Sequence, residues 1–256
     1  MVCKLIDMNN ERIDNINEDL CLIQKTDGLT FGTDAYLLYA YIRKKAGAHG
    51  ADLGAGTGII SFLCLSKNKL SKIDCVEIQP QFCELINRNA ALNSLCDRIN
   101  VVNSDVRELL GKSYDIIFSN PPYMKNNSGM GNTSEMKNIA RREVFGDISD
   151  FCAAASKNLK FGGAFYCVYK ADRAIDLVFA MRSNGIEPKR LTFVYPDAKS
   201  RPSIVLIEGK KGASSGVFVT PALIMHEDSK AEKLVDTDDL KYIYDNGEFH
   251  ERFIKP

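Results

Sequence analysis

The 256-residue chain has no C-x-x-C pair, only three histidines, no long apolar run and no net charge, and each absence excludes something. Its eight cysteines sit at positions 3, 21, 64, 75, 83, 96, 152 and 167. With no C-x-x-C among them, and with His49, His226 and His250 far apart in sequence, no metal site is expected. The cysteines read as small buried hydrophobes in a reducing compartment. No serine or cysteine stands in a recognisable nucleophile motif, which argues against His-assisted covalent chemistry. No stretch approaches the apolar length that crosses a bilayer. Residues 1–7 lack a signal peptide's apolar core and carry an early acid, so the expectation is a cytoplasmic chain with no membrane partner. Zero net charge excludes nucleic-acid binding by bulk electrostatics. The balance is uneven, however: residues 226–256 hold nine acids and five bases, which leaves the preceding body at +4. A mildly basic body with an acidic tail is compatible with RNA binding without demanding it.

What is present is an alternation. Strand patterns fall at 48–53, 72–78, 99–102, 114–119, 164–169, 191–195 and 203–208, and helical ones at 59–65, 80–93, 148–159 and 171–183. Pro80 suits a first helical turn. Strands separated by helices of this length predict an α/β fold with a doubly wound, mostly parallel, seven-stranded sheet. Such sheets bind ligands at the carboxyl ends of their strands. Residues 1–45 read as a short lead-in that packs on the core, with Thr33 or Asp34 capping a helix over 35–44. Residues 46–225 form the main domain, and 226–256 an acidic tail that is not an independent domain. Residues 124–140, rich in Asn, Gly, Ser and Met, read as a long loop.

Three strand ends carry chemistry. The first runs into Asp52-Leu53-Gly54-Ala55-Gly56-Thr57-Gly58, whose G-x-G-x-G spacing departs from the dinucleotide pattern G-x-G-x-x-G. Glu77 ends the second strand, where an acid can accept from both hydroxyls of a ribose. Asp105 follows the third, placed to accept from an adenine amino group. A glycine loop or a lone acid has an ordinary structural reading, but three at successive strand ends point to a nucleoside cofactor. After the fourth strand comes Asn120-Pro121-Pro122-Tyr123. Two prolines stop that strand and leave carbonyls with no competing N–H. The Asn120 side-chain oxygen and the Pro121 carbonyl make adjacent acceptors for a planar –NH2 group, and Tyr123 offers a ring to stack on the system that carries it.

These motifs, in this order, resemble those of S-adenosylmethionine-dependent methyltransferases of class I, with their Rossmann-like fold. Within that superfamily Asn-Pro-Pro-Tyr marks enzymes that methylate adenine N6 or a glutamine amide nitrogen. Residues 31–38, Phe-Gly-Thr-Asp-Ala-Tyr-Leu-Leu, the stretch ending Ile139-Ala140-Arg141-Arg142-Glu143, and residues 205–212 narrow the likeness. Together they are similar to the bacterial family that methylates adenine N6 beside the anticodon of a valine tRNA. Arg142 departs from that pattern, where a histidine is expected. The resemblance implies S-adenosylmethionine as cofactor and tRNA as substrate. It implies that Gly54, Ala55 and Gly56 carry the methionine part, with Asp52 ordering the loop, Glu77 on the ribose, Ile78 packed on the adenine, and Asp105 with Val106 reading it. Phe31 and Thr33 would cover the methionine end, and Asn120 would border cofactor and target alike. Catalysis would fall to Asn120, Pro121, Pro122 and Tyr123, with Tyr123, Arg141 and Arg142 touching substrate.

The residue chemistry runs parallel to that likeness. An exocyclic amine is a poor nucleophile because its lone pair is delocalised. Two acceptors on its protons favour a pyramidal nitrogen, so positioning supplies most of the acceleration and no strong base is required. Two rivals stand beside this reading. A protein-glutamine methyltransferase acting on release factors shares Asn-Pro-Pro-Tyr but carries a sizeable helical domain before the glycine loop, where this chain has about fifty residues. A non-catalytic nucleotide or RNA binder is the other. Arg141 and Arg142 suit a solvated helix face as well as phosphate contacts, and Lys210-Lys211 suit plain surface. Nothing sets the oligomeric state, and a monomer is the default.

Overall fold

A computed structural model describes residues 10–26, 32–122 and 146–255. The centre is one sheet. Strands β3 (His49–Leu53), β4 (Lys72–Glu77), β5 (Ile99–Asn103), β6 (Tyr114–Ser119) and β7 (Leu159–Lys170) run parallel, while β9 (Ile204–Lys211) lies antiparallel between β7 and β8 (Ile186–Tyr195). The order is β5-β4-β3-β6-β7-β9-β8, so the seven expected strands are there, and two-residue strands β10 (Phe218–Val219) and β11 (Leu223–Ile224) add to the β8 edge. The chain winds outward in both directions from β3, which makes its junction with β6 the switch point of the sheet.

The helices follow the sequence closely. Helix α2 (Ile59–Ser66) is apolar almost all round and buried, and α3 (Pro80–Leu92) has Pro80 in its first turn. Helix α4 (Ile148–Asn158) starts with a reciprocal capping box between Asp147 and Asp150. Expected helix 171–183 is a 3-10 turn (Ala171–Arg173) followed by α5 (Ala174–Ser183). Strand β7 starts earlier than expected. The pairing slips between Tyr114↔Leu159 and Ile116↔Ala164, which absorbs the extra residues, with Gly162 at φ +74 in the bulge. The strand passes through Gly162-Gly163, a pair whose chemistry suits a turn. Pro188 similarly sits at a register shift in β8, where its missing N–H is tolerated.

The lead-in packs a hairpin and a helix on this core. Strands β1 (Glu11–Asn17) and β2 (Leu20–Lys25) pair, and asparagines of α3 close the free edge of β2. Asn89 Oδ1 accepts from the Ile23 N–H at 2.7 Å, and Asn93 Oδ1 from the Cys21 N–H at 3.1 Å. Helix α1 covers Thr33–Tyr41 rather than 35–44, with Gly32 at its N-cap and no side-chain cap, so the expected Thr33 or Asp34 cap is corrected. Its end is fixed by buried Lys69, whose ammonium donates to the carbonyls of Tyr39, Ala40 and Ile42. Burial holds that lysine down, to about 8.

The acidic segment joins the same core. Helix α6 (Asp238–Asn246) buries Leu240 and Ile243, and Phe249 and Phe253 follow them inside. Arg190, 1% exposed, stacks 3.6 Å over the Tyr41 ring and donates to the carbonyls of Tyr41 and Phe253. Its charge is met by buried Glu208, which Arg43 also pairs at 3.0 Å. Among the described residues no helix is long and apolar enough to cross a membrane, and no group of three or more His, Cys, Asp or Glu side chains could hold a metal ion.

Candidate functional site

At the switch point a crevice of about 520 Å³ opens over the carboxyl ends of β3, β4, β5 and β6. Its floor is the glycine loop. Gly54 and Ala55 donate backbone N–H groups to the Val76 carbonyl, which ties the loop to the neighbouring strand. Gly54, Gly56 and Gly58 all have left-handed φ, at +71, +56 and +79, so the G-x-G-x-G spacing marks three alternating positions of the same backbone hand. A Cβ at Gly58 would meet Phe62 at 3.0 Å and Ile86 at 3.1 Å, whereas one at Gly56 would meet nothing within 4 Å. Gly58 is needed for packing, and Gly56 faces open space.

Glu77 governs the loop. Its Oε2 accepts from the Gly56 N–H at 2.8 Å and its Oε1 from the Gln79 N–H at 2.8 Å, with the residue 4% exposed at the crevice wall. Asp52 lines the crevice and spans the loop, which runs between it and Ser61. Its carboxylate lies fully buried and accepts from the Ser61 hydroxyl at 2.8 Å, joining the end of β3 to the first turn of α2. Burial pushes its carboxyl up to about 7.

The remaining expected residues divide. Ala55, Ile78 and Val106 line the crevice. Asp105 lines it too, but both its oxygens are engaged by the Arg107 side chain, and Oδ1 also accepts the Arg107 backbone N–H at 2.8 Å. That pairing holds its carboxyl below the usual range. Asp105 would meet an amino group with the lone pairs that Arg107 leaves. Thr33 is not among the residues that line the crevice. Its neighbour Asp34 lines the crevice instead. Phe31, Tyr123, Arg141, Arg142 and all of the 124–140 stretch lie outside the described residues.

Asn120 closes the crevice at the end of β6. Its Nδ2 donates to Asp34 Oδ2 at 3.2 Å, while its Oδ1 is buried and has no hydrogen-bond partner among the described residues. Pro121 is buried behind it, and Pro122 reaches the crevice wall. A buried orphan acceptor is costly unless a ligand completes it. Among the lining residues that sequence reasoning missed are Asp34, Phe82 and Phe151. Phe82 and Phe151 stand in the first turns of α3 and α4, and α3 begins just after the end of β4. That placement was the available signal.

Residues 26–182 match the family described as the methyltransferase small domain. The chain belongs to that family. It is an S-adenosylmethionine-dependent methyltransferase, as the strand-end motifs led one to expect. Among its relatives is the tRNA1(Val) (adenine(37)-N6)-methyltransferase of Phocaeicola vulgatus, 29% identical over 180 residues that span 70% of this chain and 76% of the relative. The enzyme of the same name from Porphyromonas gingivalis is 29% identical over 208 residues, 76% of this chain and 80% of the relative. The fold is shared with a predicted O-methyltransferase of Agrobacterium tumefaciens, at TM-score 0.65, 19% identity and coverage of 85% of this chain and 98% of that one. Geranyl diphosphate C-methyltransferase of Streptomyces coelicolor aligns at TM-score 0.52 and 14% identity, over 69% of this methyltransferase and 78% of that chain.

Proposed function

We propose that this methyltransferase acts on the exocyclic N6 of an adenine in tRNA, beside the anticodon of a valine tRNA. The observation that carries the reading is the buried, unpartnered Oδ1 of Asn120 at the crevice wall. A target amine brings the donor that this oxygen lacks. The Pro121 carbonyl would accept the second proton, and Tyr123 would stack on the base once it is drawn out of its stack. Accepting both protons biases the nitrogen toward a pyramidal shape with its lone pair free. Relatives that bear the name of this activity over about three quarters of the chain support the choice of substrate.

The crevice residues fit the cofactor. Gly54, Ala55 and Gly56 would take the methionine part on a loop whose Gly56 faces open space. Glu77, already fixed by two backbone N–H groups, would turn its remaining lone pairs to the ribose hydroxyls. Ile78 and Val106 would pack on the adenine, with Asp105 setting the Val106 turn. Asp52 acts from behind the loop through α2. Bound S-adenosylmethionine supplies an electrophilic sulfonium methyl. Phe31, Arg141 and Arg142 belong to this reading as residues that would cover the methionine end and meet the RNA.

The test is incubation with labelled S-adenosylmethionine and, in parallel, total tRNA or a release factor, followed by mass spectrometry of the modified nucleotide. N6-methyladenine at the position beside the anticodon of valine tRNA is expected. Label in the release factor alone would replace the RNA reading with the glutamine one.

A further inference from the structure

Asp34 is not among the residues that the motifs assign to chemistry, yet it is the partner of the one side chain that most needs a fixed orientation. An asparagine amide has two nearly isosteric ends, one a donor and one an acceptor. A half-turn about its last bond exchanges them, and only one of the two settings leaves an acceptor at the crevice. Asp34 decides which. A carboxylate can only accept, so the end of Asn120 that faces Asp34 Oδ2 at 3.2 Å must be Nδ2. The opposite setting would bring two acceptors together at a half-buried contact, at a cost that selects against it.

The carboxylate is itself held. Asp34 Oδ1 accepts from the Ala35 N–H at 2.8 Å, at the head of α1, where the helix favours negative charge. Helix α1 is fixed from two further directions. Near its head the Tyr36 hydroxyl donates to the Tyr244 carbonyl at 3.0 Å. At the other end Lys69 holds three carbonyls.

We propose that Asp34 is a positioning residue. It locks the Asn120 amide with Oδ1 toward the target amine, and its charge draws on Nδ2–H so that Oδ1 becomes a stronger acceptor. This rests on the assignment of Asn120 as amine acceptor. Replacing Asp34 by asparagine keeps the shape but offers either a donor or an acceptor, so both settings of Asn120 become accessible. Only one of them is productive.

The experiment pairs kinetics with a reading that needs no substrate. In Asp34→Asn, kcat for methyl transfer to tRNA should fall at least about tenfold while KM for S-adenosylmethionine stays within about threefold, the mark of a contact that matters in the transition state. By NMR, the Asn120 side-chain Nδ2 protons, assigned by their absence in Asn120→Ala, should differ strongly from one another in the wild type. In Asp34→Asn the bonded proton should move upfield toward the free-amide position. Asp34→Ser, which keeps a short oxygen at the head of α1 without the carboxylate, gives the same two readings should the first variant fold poorly. A variant with wild-type kcat, or with unshifted Asn120 amide protons, overturns the proposal. If Asn120→Ala itself retains full transfer, the role of Asn120 fails first. A wild-type chain inactive on tRNA would tell against the substrate reading, while the amide resonances still judge Asp34.

Discussion

Glu77 and Gly56 form one unit: the carboxylate at the end of β4 accepts the backbone N–H of the middle glycine at 2.8 Å and thereby shapes a loop that belongs to the neighbouring strand. Glu77→Gln keeps the volume but leaves one backbone donor facing an NH2 group, at a cost of about 1–3 kcal/mol. Its affinity for S-adenosylmethionine should fall about tenfold or more, as calorimetry on the purified protein can measure. An affinity equal to the wild type would detach Glu77 from the cofactor.

Asn120→Ala removes the orphan acceptor and little else. Methyl transfer should drop by about 10²–10³-fold, the usual scale for one preorganised hydrogen-bonding group. Cofactor affinity should stay within a few fold, since the amide's only described bond is to Asp34. Single-turnover transfer of labelled methyl, set beside a calorimetric titration, separates the two quantities. Normal turnover would refute the catalytic assignment.

Asp52 should give stability a pH dependence. Its carboxyl rises from 3.8 to about 7 on burial, so between these values the native state holds a proton that the unfolded chain releases. The stabilisation is complete below about pH 4 and is lost as pH rises through 7. From pH 5 to pH 8 the unfolding free energy should lose on the order of 2 kcal/mol that Asp52→Asn does not lose. Urea titrations of both proteins at the two pH values make the comparison. Parallel slopes against pH would remove Asp52 as the cause.

Glu208 stands between two guanidinium groups, those of Arg190 and Arg43, and all but Arg43 are buried. Glu208→Gln should destabilise the fold by roughly 3–5 kcal/mol, because it strands a buried cation rather than deleting a pair. Glu208→Gln with Arg190→Met should recover part of that loss. Chemical denaturation of the single and double variants reads both.

Much of this was legible from the chain. The β6 strand was read to the residue, since its apolar run ends at two prolines, and β3 and β4 were read to within a residue because short apolar strands flank clear turn signals. The early start of β7 was not, because Gly162-Gly163 is a turn by its chemistry and a bulge only through its pairing with β6. The site divides in the same way. Glu77 and Asn120 announce themselves by standing at strand ends, while Asp34 looked like a helix cap because its partner lies 86 residues away. Asp105 carries a contact of the opposite kind, since Arg107, only two residues on, shares its oxygens. The tail was the least readable part. Its charge hid the apolar positions Leu240, Ile243, Phe249 and Phe253 that bury it.

The carbonyl that Phe253 offers to Arg190 bears on the order in which this chain can be made. A ribosome delivers the glycine loop, the crevice strands and Arg190 itself well before residue 253. Until then the arginine has Glu208 and Tyr41 but lacks its last acceptor, and the aromatic slot for Phe249 and Phe253 beside Tyr41 stands open. Before residue 253 is made, the chain can pair all seven main strands while Arg190 beside α1, the helix that bears Asp34, still lacks the Phe253 carbonyl. The packing beside α1 is complete only once residue 253 has been made.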